Sequence, residues 1–287
     1  DGSFSFEKVP YGTWVIREIE SPKGFVLSEE EIAVTVGKVD EVVEIELVNY
    51  FIKGNIELTK VDADYPDNKL TGAVFEVYAD TNGNGEFDKD DELCGEMTEL
   101  EGGVYQMTEL RYGKYFVREK TAPDGFVLDD GVYGVSIEEN GKTYTVENKA
   151  GVGFINDAQK GSLKIVKTSS DGKVEGFSFR VTSPDGYDQT FKTDKNGEIF
   201  IEGLRIGEYT VSEVSDSASA GYILPADKQA TVKTDSTTIV EMHNEFRDTP
   251  KTGDDFNLGL WVSLAAASVI GAGVLGFVGF KKKKKED

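Results

Sequence analysis

A single cysteine, Cys94, and a single histidine, His243, stand in a chain of 287 residues. One thiol cannot close an internal disulfide, and a lone Cys gives no Cys-x-x-Cys metal or redox site. One imidazole excludes His-rich metal clusters. The two residues fall in different repeats, which argues against a Cys–His nucleophile pair. Basic residues are also scarce: 31 Lys and Arg face 53 Asp and Glu, for a formal net charge of −22. A surface of that sign repels phosphate backbones and argues against nucleic acid as a partner. Before residue 247 no segment keeps a helical period. Hydrophobic residues still make up 38% of the chain, with 11% aromatics, enough for packed cores.

What fills residues 1 to 246 is a succession of short alternating strands broken by Gly, Asp, Asn and Pro turns, the pattern of an all-β sandwich. Three related stretches recur in the same order. Gly54-Asn-Ile-Glu-Leu-Thr-Lys60 matches Gly161-Ser-Leu-Lys-Ile-Val-Lys167. Trp14-Val-Ile-Arg-Glu18, Tyr115-Phe-Val-Arg-Glu119 and Tyr209-Thr-Val-Ser-Glu213 match one another, and two run on into Pro22-Lys-Gly-Phe25 and Pro123-Asp-Gly-Phe126. Asn49, Asn156 and Asn244 close the units. The chain thus reads as the end of one module (1–52), two complete modules (53–157 and 160–246) and a separate tail (247–287). It begins inside a repeat, so it reads as the C-terminal part of a longer protein. The joints are short, which predicts modules stacked end to end.

Strand parity adds a chemical constraint. Residues two apart share a face, so Ile56, Leu58 and Lys60 point together, as do Leu163, Ile165 and Lys167. By the same rule Glu119 follows Tyr115 and Val117 inward and Glu213 follows Tyr209 and Val211, while Glu18 shares a face with Trp14 and Ile16. Asn156 shares a face with Val152 and Phe154, Asn244 with Val240 and Met242, and Asn49 with Ile45 and Leu47. A buried unpaired charge is very costly, so Lys, Glu and Asn should meet in each complete module. Parity alone leaves two readings open: a buried ion pair with an Asn hydrogen bond, or a reactive trio.

The order of these motifs resembles that of Cna-B-type (SpaA-like, prealbumin-fold) domains, which build Gram-positive pilus shafts and adhesin stalks. The resemblance implies tandem Greek-key β-sandwiches and an intramolecular Lys–Asn isopeptide bond promoted by the Glu. It pairs Lys60 with Asn156 beside Glu119, and Lys167 with Asn244 beside Glu213. Glu18 and Asn49 would serve a Lys lying upstream. The chemistry is self-consistent: burial disfavours both charges, proton transfer leaves a neutral amine, and the fold places that amine against the amide carbonyl. Such a reaction turns over once, so no enzyme is implied, and it requires no cofactor.

At the other end, residues 256–280 carry no charged side chain and Lys281 to Lys285 follow at once. As a helix, 25 residues would span roughly 37 Å, enough to cross a bilayer. The lysine run would stop it on the cytoplasmic side, leaving the acidic part outside the cell. Just upstream stand Thr249, Pro250, Lys251, Thr252 and Gly253. Pro-x-Thr-Gly, an apolar span and a basic tail resemble the LPXTG cell-wall sorting signal, with Thr249 in place of Leu. That resemblance implies cleavage between Thr252 and Gly253 by a sortase and transfer to peptidoglycan or another pilin subunit, with only transient membrane residence. A permanent membrane anchor is the competing reading.

The stretch from Lys60 to Glu119 is longer than that from Lys167 to Glu213, and the extra length fits an acidic run. Asp80, Asn82, Asn84, Glu86, Asp88 and Asp91 occupy the spacing of an EF-hand-like calcium loop, with Gly85 at its sixth position. Asp91 stands where an EF-hand has Glu, and an acidic Asn-Gly hairpin is the alternative. His243 takes the parity opposite Asn244 and so belongs on the surface. Together these readings predict a wall-anchored stalk or pilin-type protein at the cell surface. The runner-up is an adhesin whose modules bind a host or matrix ligand.

Overall fold

The computed structural model describes residues 2–247. The sorting motif at 249–253, the apolar span at 256–280 and the lysine run at 281–285 lie outside the described residues. No helix among the described residues is long and apolar enough to cross a membrane. Among them the only helical turn is a single 3-10 turn, Glu101–Gly103.

In the second module the chain forms β3 (Lys53–Asp62), β4 (Val74–Ala79), β5 (Glu92–Glu96), β6 (Thr98–Glu99), β7 (Val104–Arg111), β8 (Gly113–Thr121), β9 (Val132–Ile137), β10 (Thr143–Thr145) and β11 (Phe154–Asn156). They make two sheets, ordered β10-β3-β7-β6 with β11 also on β3, and β5-β4-β8-β9. Ile56, Leu58 and Tyr105 of the first sheet and Phe75, Val77, Val117 and Ile137 of the second share one buried cluster with Phe154. The module is therefore a β-sandwich, each sheet burying one side of its pleat.

The third module repeats this plan with β12 (Lys160–Ser169), β13 (Ser178–Thr182), β14 (Asp188–Lys192), β15 (Glu198–Arg205), β16 (Gly207–Glu213), β17 (Tyr222–Ile223), β18 (Lys228–Val232) and β19 (Thr237–Phe246). Its sheets run β15-β12-β19-β17 and β14-β13-β16-β18. In both modules the first strand takes the last as a parallel neighbour. The two first strands also share a register shift two residues after their start. There the glycine of the Gly-x-[Ile/Leu] motif is obligatory: a Cβ on Gly54 would stand 2.8 Å from the Lys142 carbonyl, and one on Gly161 2.1 Å from that of Lys233.

Residues 2–52 contribute only β1 (Gly12–Arg17) and β2 (Glu31–Val36), paired antiparallel. Here the structure corrects a sequence expectation. Ile45, Leu47 and Asn49 were expected on a strand, yet 41–50 join no ladder. The physical reason is the missing neighbour: a closing strand in the other modules is held by the Lys strand, and no such strand lies within residues 2–52.

Successive modules meet through one repeated joint. Ile52 N–H donates to the Gly24 carbonyl (2.9 Å) and the Ile52 carbonyl accepts from Tyr112 N–H (2.9 Å). At the next joint Gln159 N–H donates to Gly125 O (2.8 Å) and Ile206 N–H to Gln159 O (3.1 Å). Side chains differentiate the two. Arg111 stacks on Phe51 at the first, 4.1 Å from the ring centre. At the second, the matching Arg205 chelates Asp62 with two 2.7 Å bonds and reaches Asp64 at 3.0 Å. Burial pushes the Asp62 carboxyl up, but the Arg205 bonds, together with the backbone N–H groups of Asp64 and Tyr65, hold it below the ordinary aspartate range.

Candidate functional site

The alternation of β3 brings Lys60 into the sandwich behind Ile56 and Leu58, and Lys60 is 0% exposed. Glu119 enters from β8 and Asn156 from β11, both buried. Cα pairing sets Phe154 opposite Lys60, so Asn156, two residues on, shares its face. Lys60 Nζ lies 3.7 Å from Glu119 Oε1 and donates to the Phe154 carbonyl at 3.1 Å. Asn156 Nδ2 donates to both Glu119 oxygens, at 2.9 and 2.8 Å. The backbone N–H of Asp129 adds a third donor to Glu119 Oε2 at 2.9 Å. The three sequence-selected residues of this module are thus assembled.

Burial pulls the Lys60 amine down from the ordinary lysine value to about 8, against the opposing pull of Glu119 and Asp129. Burial likewise pushes the Glu119 carboxyl up. Both shifts favour moving a proton from ammonium to carboxylate, which yields a nucleophilic amine beside an acid. The Asn156 carbonyl oxygen is buried with no hydrogen-bond partner. A protonated Glu119 can supply the missing donor once the amide turns over.

In the third module Lys167, Glu213 and Asn244 are again buried, with Lys167 paired in register with Met242, two residues before Asn244. Asn244 Nδ2 donates to Glu213 Oε1 at 2.6 Å. The amine itself is turned aside: Lys167 Nζ donates to the Thr168 carbonyl at 2.5 Å, 4.4 Å from the centre of the Phe177 ring. Glu213 Oε2 and the Asn244 carbonyl oxygen have no partners. Burial lowers the Lys167 amine and raises the Glu213 carboxyl, the directions found in the second module.

The first module holds the acid and the amide together. Asn49 Nδ2 donates to Glu18 Oε1 and Oε2 at 2.7 and 2.8 Å, and Ser28 N–H to Glu18 Oε2 at 2.7 Å. No lysine joins them among the described residues.

Two elements of the site escaped sequence reasoning. The aromatic residue four before each Glu bonds the backbone carbonyl four residues upstream of itself: Trp14 Nε1 donates to Pro10 O (3.0 Å), Tyr115 Oη to Arg111 O (2.8 Å) and Tyr209 Oη to Arg205 O (3.0 Å). The backbone donor to the Glu comes from the residue ten positions later, Ser28 or Asp129. The shared run Pro-x-Gly-Phe-Val-Leu before both is the signal that marks it. The third module lacks this run and lacks the donor.

The acidic loop 80–91 folds over the outer face of the β4–β8 pair. Phe87 packs on Tyr78 and Phe116, at 5.1 and 5.8 Å between ring centres. Inside the loop Asn82 and Asn84 donate to Asp88, while Gly85 N–H donates to Asp80 Oδ2 and Asp88 N–H to Asp91 Oδ2. Asp80 Oδ1 and Asp91 Oδ1 are buried without partners. Glu86 instead uses its backbone N–H, bonded to Asn84 Oδ1. Among the described residues no group of three or more His, Cys, Asp or Glu side chains converges as a metal cluster. Cys94 is exposed, and His243 lies on the surface between Thr168 and Glu245.

Comparison with known proteins follows this architecture. The model of the SpaA prealbumin-like fold domain matches residues 1–50, 54–150 and 161–246. No curated protein matches the chain at a significant level. Among solved structures, the Bacillus anthracis TIE protein is 25% identical, with a TM-score of 0.65 over 83% of this chain. The chain covers 42% of that protein, less than half its length. The minor pilin of the Gram-positive pathogen Streptococcus agalactiae (16% identity, TM-score 0.33, 70% of this chain and 99% of that one) is a more distant likeness. So is the shaft pilin SpaA of Lactobacillus rhamnosus GG (15%, 0.31, 68% and 98%). Neither of these two bears on function at that distance.

Proposed function

Since the chain belongs to the family of SpaA prealbumin-like fold domains, we propose that it is a structural stalk of pilin type whose modules are locked by Lys–Asn isopeptide bonds. The observation that carries this reading is the recurrence of one buried trio in two modules: Lys60, Glu119 and Asn156, then Lys167, Glu213 and Asn244. Two buried lysines in a chain of this size are not explained by stability, because a buried ion pair offsets its desolvation poorly.

The reaction balances without any added reagent. The ammonium passes a proton to the carboxylate, and the freed amine attacks Cγ of the asparagine. A carbon–nitrogen bond forms to Nζ, and the bond from Cγ to Nδ2 breaks. The amide nitrogen leaves as ammonia, taking up the one proton that the attacking amine sheds, relayed by the glutamic acid. The product joins the first strand to the last, the two strands by which tension enters and leaves a module. Intact mass tests this. The full chain is expected one ammonia lighter for each bond, and a Glu119→Ala, Glu213→Ala double variant is expected at its full mass. Full mass in the unaltered chain contradicts the reading.

Anchoring belongs to the same proposal. Thr249 to Gly253, the apolar span and the lysine run fit a sortase substrate held at the membrane, cleaved after Thr252 and passed to peptidoglycan or to another subunit. Wall fragments whose last residue of this chain is Thr252 support it. A chain that stays in the membrane fraction with its lysine tail intact argues for a permanent anchor.

Calcium in the loop 80–91 is a second reading, favoured by the unpartnered buried oxygens of Asp80 and Asp91. An all-oxygen donor set suits a hard cation, which would offset the crowding of these carboxylates. Calorimetry on the EDTA-treated chain tests it. No heat of binding at millimolar calcium removes it.

A further inference from the structure

The closing strand of the second module is interrupted. Along β10 the offset from β3 is 88 residues, from Asn55 to Thr143, whereas along β11 it is 94, from Lys60 to Phe154. Six residues are therefore looped out just before the amide-bearing segment. In the third module the offset stays at 75 from Ser162–Thr237 to Ser169–Asn244, and β19 runs unbroken for ten residues. β11 is left with three residues, Phe154–Asn156, too short a ladder to fix itself firmly. Yet it supplies both the carbonyl that receives Lys60 and the amide of Asn156.

The looped-out residues return what the interruption removes. Asn148 lies within them and acts as a substitute strand neighbour. Its Oδ1 accepts from Ile155 N–H at 2.6 Å, and its Nδ2 donates to Ile155 O at 2.8 Å. The same Nδ2 donates to Asp129 Oδ2. Asp129 is in turn held by Tyr133 Oη, at 2.9 Å, and by Gly131 N–H, at 2.7 Å. Its own N–H donates to Glu119 at 2.9 Å. The Tyr133 ring packs edge-on against Phe154, 5.1 Å between centres. One aspartate therefore links the acid to the strand that carries the amide.

We propose that Asn148, anchored by Asp129 and Tyr133, is a positioning residue for bond formation in the second module: it fixes β11 so that the Asn156 amide faces Lys60. Asn148 touches neither reacting atom. This inference rests on the isopeptide reading, and the third module supplies an internal clock, because its site has no counterpart of Asn148.

The test follows both linkages in the full chain during cell-free synthesis, with aliquots quenched in acid and digested to count Lys60–Asn156 and Lys167–Asn244 cross-linked peptides. Asn148→Ala is expected to slow the first linkage roughly ten- to a hundredfold, the cost of a misplaced reactant, and to leave the second unchanged. Exchanging the pair, Asn148→Asp with Asp129→Asn, restores an amide–carboxylate bond and is expected to recover part of the rate relative to Asn148→Ala. Loss of folding alone predicts no such recovery. Tyr133→Phe keeps the ring against Phe154 and is expected to slow the first linkage about two- to fivefold, the loss of one hydrogen bond to the anchor. An unaltered first linkage in both Asn148→Ala and Tyr133→Phe overturns the positioning role while leaving the bond intact. Absence of the first linkage in the unaltered chain overturns both readings together.

Discussion

The second and third modules bury the same three residue types on corresponding strands, but they hold them differently. In the second, Glu119 receives Asn156 and a backbone N–H, and Lys60 is drawn within 3.7 Å of it. In the third, Glu213 receives only Asn244, and Lys167 bonds its neighbour's carbonyl. The second compensates for a broken closing strand with side-chain clasps. The third relies on a long ladder and leaves Glu213 Oε2 bare. The lesson is that the buried trio is fixed by strand parity, whereas its supports are free to vary with the loops.

The largest expected effect breaks the comparison one module at a time. Glu119→Ala should leave the second module unlinked and the third linked, and Glu213→Ala the reverse. A cross-link closing most of a module stabilises it by about 4 to 5 kcal/mol on loop-entropy grounds. Calorimetry should therefore show the unlinked module melting roughly 20 °C or more below its bonded form.

Next comes the joint between them. Arg205→Ala strands the Asp62 carboxylate, 2% exposed, without its guanidinium. The loss should cost about 2 to 3 kcal/mol of coupling between modules, read as independent tumbling by NMR relaxation. Arg111→Ala, which removes a stacked cation from Phe51, should cost about 1 kcal/mol or less. Equal effects at the two joints would contradict the contrast drawn from their side chains.

A pH series on Asn156→Ala, which cannot link its second module, sharpens the electrostatic side. The folded Lys60 amine titrates near 8, below the ordinary 10.5. The folded state therefore disfavours its charge, and that penalty is fully present below about pH 8. Stability of the unlinked module should rise as the pH climbs from about 8 towards 10.5. Glu119 works oppositely: its raised carboxyl costs stability as the pH rises from 4.5 through its folded value. Urea unfolding across this range checks both signs.

The smallest effect concerns the loop that only the second module carries. Calcium at a concentration equal to its dissociation constant would raise the stability of that module by only about 0.4 kcal/mol. Asp80→Ala with Asp91→Ala should abolish the shift and leave the third module's melting unchanged.

Much of this was legible in the sequence because a strand has a period of two. Ile56, Leu58 and Lys60 cannot be separated from one face, and neither can Leu163, Ile165 and Lys167. Parity also placed Glu119 and Glu213, each four residues after an aromatic that bonds an upstream carbonyl. It failed where a ladder needs a neighbour or breaks. Residues 41–50 join no ladder, and among the described residues no Lys strand lies beside them. Val152 sits in the turn before β11 and not on it, since six looped-out residues reset the pairing. Backbone donors such as Asp129 N–H leave no residue-type trace, and the clasp of Asn148 on Ile155 depends on a loop geometry that spacing does not encode.

The most direct measurement is peptide mapping of the mature chain. Covalent linkage predicts two branched peptides, one joining Lys60 to Asn156 and one joining Lys167 to Asn244, each short of one ammonia. Recovery of all four residues in linear peptides of unaltered mass would contradict the account at its centre.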